Sequence, residues 1–277
     1  MIDAAILAAA DRRIARALSV APPPCALVVD GERLGLLDPA RLQRLAAFTA
    51  VFERHGDDVA FHRSLVTPAQ RSDAMAQVVR TLAGEGLLSA WRNECYAVSS
   101  SLATEPAFLV ERAAARYLGI RTWAAHANGL VRRADGRLAM WLARRSPAKA
   151  IDPGMLDNLV GGGMAAGETA ARTLVREAWE EAGVDASEAQ RAAQVAVLDI
   201  ERHVPEGYQR ETIFAYDLWL PAQWQPANQD GEAVEHRCVD LDAVARLLAL
   251  EHGDDMLTLD ATIVALDCVR RHASASV

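Results

Sequence analysis

The sequence predicts an α/β protein in two units: a smaller α+β unit over residues 1–118, then a larger unit over 119–277 in which strands and helices share one core. Three observations predict it. The chain of 277 residues is long for one compact domain and can bury one sizeable core or two modest ones. Short mixed elements fill the first part. From Arg121 onward, strand patterns alternate with strongly periodic helices.

In order, the spacing of apolar residues predicts a helix from Ile2 to about Leu18 and a strand over Ala26 to Val29. An Asp30-Gly31 turn then leads to a second short apolar run. Residues 68–84 return to helical spacing. After Gly86, LLSAWRNECYAVSS reads as a turn and a strand, and PAFLVERAAARYLGI as a helix closed by Gly119. TWAAHANGLV and LAMWLARR are strands joined around Asp135-Gly136, a strong hairpin signal. A loop with a Pro153-Gly154 turn follows, and Asn158 to Val160 enters the glycines 161–163. A periodic helix over Thr169 to Ala182 comes next, with Gly183 placed to end it. Further strands are expected at QVAVLDIE, ETIFAYDLWL and EAVEHRCV, and helices at LDAVARLLAL and TLDATIVALDCVRRH.

With 51% hydrophobic and 24% charged residues the composition is that of an ordinary globular protein. No apolar run approaches the span of a bilayer, so no membrane role is expected. The first twenty residues lack the cationic segment of a signal peptide. The net charge of -8 argues against general binding to nucleic acid, which requires a basic face. Cys25, Cys95, Cys238 and Cys268 form no CxxC pair, so neither zinc site nor disulfide framework is expected, and scattered thiols suit a cytoplasmic protein. Whether the chain forms a homodimer is left open.

The chemistry concentrates in GGGMAAGETAARTLVREAWEEAGV. Glu177, Glu180 and Glu181 lie three and four residues apart, along one face of one helix. Like charges so close repel, unless a hard cation such as Mg²⁺, which prefers oxygen ligands, gathers them. The opposite face, Ala171, Leu174, Val175, Ala178 and Ala182, is apolar and can fasten the helix to a sheet. Glu168 stands near the helix start, with Arg176 as its expected partner.

These residues complete the pattern G-x5-E-x7-R-E-U-x-E-E-x-G-U, with U apolar, through Gly162, Glu168, Arg176, Glu177, Ala178, Glu180, Glu181, Gly183 and Val184. Ordinary residue frequencies would give a chance match in about one chain in a million. The pattern is identified as the signature of the Nudix hydrolases. The resemblance implies an α/β/α sandwich with a mixed sheet, and Mg²⁺ or Mn²⁺ held by the box glutamates. It makes Glu180 and Glu181 the principal ligands, with Glu177 a further ligand or the group that orients water. Glu168 and Arg176 become a supporting ion pair, and the Gly161 carbonyl a metal contact. Many such enzymes add an acidic residue from a later loop, for which Glu232 is the first candidate and Glu235 the second. Arg144, Arg145 and Lys149, just before the box, could receive phosphates.

WRNECYAV, PAFLVERAAARYLGI, HANGLVRR, LWLARRSPAKAIDPGMLDNLVGGGMAAGE and NQDGEAVE, in this order, resemble Nudix proteins related to the Nudix part of fungal thiamine pyrophosphokinase fusions. That group carries an N-terminal domain of its own kind. The resemblance implies a small-molecule diphosphate substrate, thiamine diphosphate or its oxidised oxo and oxy forms, cleaved to the monophosphate and phosphate. Trp91, Tyr96, Trp123 and His126 are candidates for contact with its rings. The polar run Arg92, Asn93, Glu94 beside Trp91 either ties the two units together or projects over the cleft. Rival readings are hydrolysis of ADP-ribose, NADH, CoA or nucleotide sugars, and a catalytically inactive binding protein on the same fold.

Overall fold

The computed structural model describes residues 2–273. It begins with helix α1 (Ala4–Leu18), strands β1 (Cys25–Val29) and β2 (Glu32–Leu37), and helix α2 (Pro39–Ala46). Strands β3 (Phe52–His55) and β4 (Asp58–Phe61) and helix α3 (Pro68–Gly84) follow. Next come β5 (Cys95–Val98), β6 (Phe108–Glu111), a 3-10 turn (Arg112–Ala114) and the short α4 (Ala115–Leu118). Asp30 and Gly31 both have positive φ, as a tight hairpin turn demands. Thr67 and Gln70 form a reciprocal capping box at the start of α3. Four strands in the order β2-β1-β4-β3 share one core with α2, α3, α4 and the β5-β6 ribbon, around Phe52, Phe108, Leu27 and Met75.

The second part comprises β7 (Arg121–Arg132), β8 (Leu138–Arg145), β9 (Leu156–Asn158), β10 (Val160–Gly163), α5 (Ala170–Ala182) and α6 (Ala186–Ala189). The long strands β11 (Ala193–Val204) and β12 (Gly207–Trp219) follow, then β13 (Ala233–Asp240), α7 (Leu241–Leu248) and α8 (Leu259–Ala273). Seven strands form one sheet, β11-β12-β7-β8-β13, with β10 on β7 and β9 on β8. It is mixed, because β12 runs parallel to β7 while the other pairs are antiparallel.

Alternation along each strand decides which layer a residue joins. Ala125, Ala127 and Val131 of β7, Trp141 of β8 and Tyr216 of β12 pack against Leu174, Ala178 and Ala182 of α5. Leu130, Met140 and Leu142 pack against α7 and α8, as do Ala124, Ile213 and Ala215 against Val264. The result is the expected α/β/α sandwich with a mixed sheet, preceded by a smaller α+β part.

Four expectations change. Helix α1 is first in sequence, yet its Ala10, Ile6, Leu7 and Ile14 pack with α7 and α8, because its apolar stripe finds an unfilled face there. The segment 106–120 is not one helix: Phe108–Glu111 pairs with Cys95–Val98, and only residues 112–118 turn helical. Ala171 is exposed, while Thr173 and Glu177 are buried on the inner face of α5. Helix α2 and the β3-β4 hairpin have no counterpart in the sequence expectation. All four cysteines are free, and no helix among the described residues is long and apolar enough to cross a membrane.

Candidate active site

The sheet forks. Strand β7 pairs with β10 over residues 124–127 and with β8 over residues 129–132, so the two partners separate near Asn128. The glycines of β10 make close approaches possible at this fork. A Cβ on Gly161 would lie 2.9 Å from the His126 ring, one on Gly162 2.0 Å from the Glu177 carboxyl, and one on Gly163 1.9 Å from the Tyr96 hydroxyl oxygen. Strand alternation therefore sends Glu177 to one face of the glycine strand, and His126 and Tyr96 to the other.

Thr169 caps α5 by accepting from the Arg172 N–H, and left-handed Gly183 closes it, so the box helix has fixed ends. Arg176 organises the carboxylates. It donates from Nε and Nη2 to the two oxygens of Glu168, at 3.0 and 2.9 Å. Its Nη1 donates to Glu177 at 2.7 Å and Glu180 at 3.1 Å. The Arg176 bond, reinforced by Thr173, holds the Glu168 carboxyl down at about 2. Glu181 turns away from Arg176 and accepts from the Gly161 N–H at 2.7 Å.

Burial raises the Glu177 carboxyl above its ordinary range despite Arg176 and Arg112. Glu181 is raised well above it, by burial first and then by Glu177 and Asp157. Glu177 and Glu181 are thus under-neutralised by the protein, and their oxygen donors, with those of Glu180 on the same helix, fit a hard divalent cation. Glu177, Glu180 and Glu181 would hold it. Among the described residues, the group of His, Cys, Asp and Glu side chains whose ligand atoms lie within 4.8 Å of one another is instead Asp217, Cys268 and His272, where both oxygens of Asp217 already accept from Arg271; the box carboxylates are spread over Arg176 and the Gly161 N–H.

The remaining candidates scatter. Glu232 gives its carboxylate to Lys149 and to Arg92 at 2.8 Å, so here it tethers the first part of the chain to the second. Glu235 pairs with Arg237 and Arg144. Arg144 is not at the site: Glu235, Asp255 and the carbonyls of Gly154 and Asp254 engage its guanidinium. Arg145 lines the cleft but is engaged by Asp157 at 2.9 Å and by the carbonyls of Ile151 and Asp152. Trp91 is exposed, bonded to Asn93 at 2.8 Å, and Trp123 lines a separate recess with Met164 and Glu168. Tyr96 and His126 do border the glycine strand.

A cleft of about 160 Å³, open to solvent, lies between the two parts. Arg92, Arg112, Arg116, Arg145 and Lys149 give it cationic walls; Leu87, Leu88, Ile120, Ile151, Tyr117 and Tyr208 add apolar and aromatic surface. A smaller recess over the glycine strand shares Tyr96, Arg112, Arg116 and Arg145 with it. None of the box glutamates lines the large cleft, so the glycine strand is the link between them. Arg112 and Arg116 escape a sequence reading, because nothing local marks them as facing a cleft.

A chain of buried polar side chains braces the fork. His126 Nδ1 bonds Asn158 Oδ1 at 3.0 Å, Asn158 donates to Asn128 at 3.3 Å, and Asn128 donates to Asp217 at 3.1 Å. Each amide donates toward the carboxylate, so Asn158 Oδ1 is left to accept and His126 carries its proton on Nδ1. Burial alone would raise the Asp217 carboxyl, but Arg271, Asn128 and His272 more than offset this and hold it below its ordinary value.

Asp217→Asn should therefore destabilise the protein at pH 7 by about 2–3 kcal/mol, since it breaks a largely buried ion pair. The contribution is present above the unfolded value of about 4 and is lost progressively as pH falls from there through the lower folded value, so the gap between the two proteins should narrow in acid. Denaturant melts at pH 7 and pH 3.5 measure both, and equal stability at pH 7 would refute the account.

A fixed carboxylate helix thus stands beside a glycine strand, an arginine neutralises it in part, and a cationic cleft adjoins the strand. The NUDIX domain family matches residues 122–259, and a family described as a domain of unknown function (DUF4743) matches residues 12–122. Nudix hydrolase 24, chloroplastic, of Arabidopsis thaliana is 34% identical over 250 residues, which cover 88% of this chain and 67% of that protein. Nudix hydrolase 20, chloroplastic, of the same plant is 36% identical over 217 residues, covering 77% and 56%. The chain thus spans between about half and two thirds of these relatives. The crystal structure of a C. elegans Ap4A hydrolase binary complex is similar with a TM-score of 0.41 at 13% identity, covering 56% of this chain and 99% of that one. This chain belongs to the Nudix hydrolase family.

Proposed function

We propose that the protein hydrolyses a diphosphate linkage in a small organic molecule with a divalent cation, Mg²⁺ or Mn²⁺, and that its substrate is thiamine diphosphate or an oxidised derivative of it. The observation that carries the hydrolase reading is the placement of three carboxylates along α5, Glu177 and Glu180 held by Arg176 and Glu181 by the Gly161 N–H. Bound there, the cation would neutralise diphosphate charge and lower the pKa of water. Arg176 leaves Glu177 and Glu180 partly neutralised and oriented, and the Gly161 N–H fixes the direction of Glu181. A carboxylate of this set then takes the proton of the attacking water, and the monophosphate or phosphate departs. Support for a ring-bearing substrate comes from the apolar and aromatic wall that adjoins the cations in one cleft.

The test is a panel of thiamine diphosphate, its oxo and oxy derivatives, ADP-ribose, NADH and CoA, assayed for phosphate or monophosphate release with Mg²⁺ and with Mn²⁺. The highest kcat/KM should fall on a thiamine compound. A clear preference for ADP-ribose or NADH would overturn the substrate and leave the hydrolase. Binding without release under either cation would identify a non-catalytic binding protein.

A further inference from the structure

Arg112 and Arg116 stand four residues apart on the helical turns that end the first part of the chain, and so share one face. Both line the large cleft and the recess over the glycine strand. Arg116 meets Glu206 only at 3.6 Å, and Glu206 Oε2 has no hydrogen-bond partner among the described residues. Arg112 gives Nη1 to Glu94 at 3.1 Å and lies over the Tyr96 ring at 5.6 Å. A guanidinium has five N–H donors, so among the described residues most donors of this pair are uncommitted, unlike those of Arg144 and Arg145.

The carboxylates nearby are already answered for the most part. Asp157 accepts from Arg145, Glu211 from Thr122 and Gln209, and Asp260 from Gln209. Asp152 and Glu206 are the exceptions: Asp152 lines only the smaller recess, and Glu206 lines the cleft, 3.6 Å from Arg116. The arginines are also rigidly placed. Ala115, Tyr117 and Leu118 are buried in the first core. A Cβ on Gly119 would strike the Leu36 carbonyl at 2.1 Å, and one on Gly207, at the tip of the β11-β12 hairpin, the Arg116 carbonyl at 2.2 Å.

We infer that Arg112 and Arg116 form an anion subsite, supplied by the N-terminal part, that holds the phosphoryl group of the substrate lying away from the box carboxylates. Two forked donors match phosphate oxygens and can bind them in pairs. Arg112 overlies Tyr96, whose hydroxyl stands 1.9 Å from where a Cβ on Gly163 would be, so the subsite is joined through Tyr96 to the glycine strand beside the box. The inference rests on the diphosphate-hydrolase reading for its place in a reaction, but not for the binding itself. It explains why a Nudix domain is joined here to a second domain: the catalytic carboxylates come from one and the phosphate clamp from the other.

The test uses the full chain and inorganic diphosphate as the probe, with chelator present, followed by calorimetry. Arg116→Gln and Arg112→Gln should each weaken diphosphate binding about tenfold, as the loss of one charge-assisted contact would. Arg116→Lys should recover part of the loss. For the best substrate of the panel, KM should rise about tenfold in Arg116→Gln while kcat changes far less, the pattern of lost uniform binding. Thermal melts check that each variant is folded. No diphosphate binding by the unsubstituted chain, or binding and KM within twofold in a folded double variant, overturns the subsite. If the chain hydrolyses no diphosphate compound, yet Arg116→Gln still loses diphosphate binding, the functional reading fails and the subsite stands.

Discussion

Glu181→Gln is expected to lose more than about a hundredfold in turnover, since even removing a group that merely orients a metal ligand costs about 10–100-fold. Its thermal midpoint without divalent cation should stay level or rise. The reason lies in the environment of that carboxylate. Burial, then Glu177 and Asp157, push it well above its ordinary range, with the Gly161 N–H and Lys149 giving partial relief. A carboxyl whose folded value is raised weakens the fold at neutral pH, where it is forced to ionise. Glutamine keeps an oxygen for the Gly161 N–H and removes the charge. Added Mg²⁺ should then raise the midpoint of the unsubstituted protein more than that of the variant. Near-normal turnover in Glu181→Gln would show that the cation site has been misplaced.

The parts of this site that the sequence discloses are those set by local geometry. Glu168, Arg176, Glu177, Glu180 and Glu181 lie within fourteen residues; helical periodicity puts the last four together, and Glu168 stands just before the Thr169 cap. The Asp135-Gly136 hairpin is equally local, and the structure joins β7 to β8 there. What stays hidden depends on partners far away in the chain. Phe108–Glu111 carries helix-forming neighbours, but its strand character comes from pairing with Cys95–Val98. Arg144 is a plausible phosphate ligand until Glu235 and Asp255, about a hundred residues later, engage it. Glu232 has the right residue type for a metal ligand, yet Lys149 and Arg92 reach it first. Arg112 and Arg116 look like ordinary helix-surface cations until two domains close over them.

Gly162→Ala should be the conservative change in the glycine strand that costs turnover with the least cost to the fold. Gly162 has no left-handed backbone to lose, so its identity matters through close approach alone. A methyl there would lie 2.0 Å from Glu177 Cδ and Oε1, a distance no carboxyl tolerates. The helix is capped at both ends and cannot retreat, so the side chain of Glu177 must move, and its 2.7 Å bond from Arg176 breaks. Misplacement by about 1 Å can cost on the order of a hundredfold in rate, which is the loss expected here. The side chain is flexible, so the fold should give way little, and the thermal midpoint should remain within a few degrees. Gly163→Ala makes the contrast: its methyl would meet the Tyr96 hydroxyl oxygen at 1.9 Å, and Tyr96 is buried in the first core. That variant should lose stability as well as activity, because the clash pushes the N-terminal part away from the glycine strand. Steady-state kinetics and melting curves of the two variants separate the effects. A Gly162→Ala protein with unchanged kcat would show that Glu177 takes no part in the reaction.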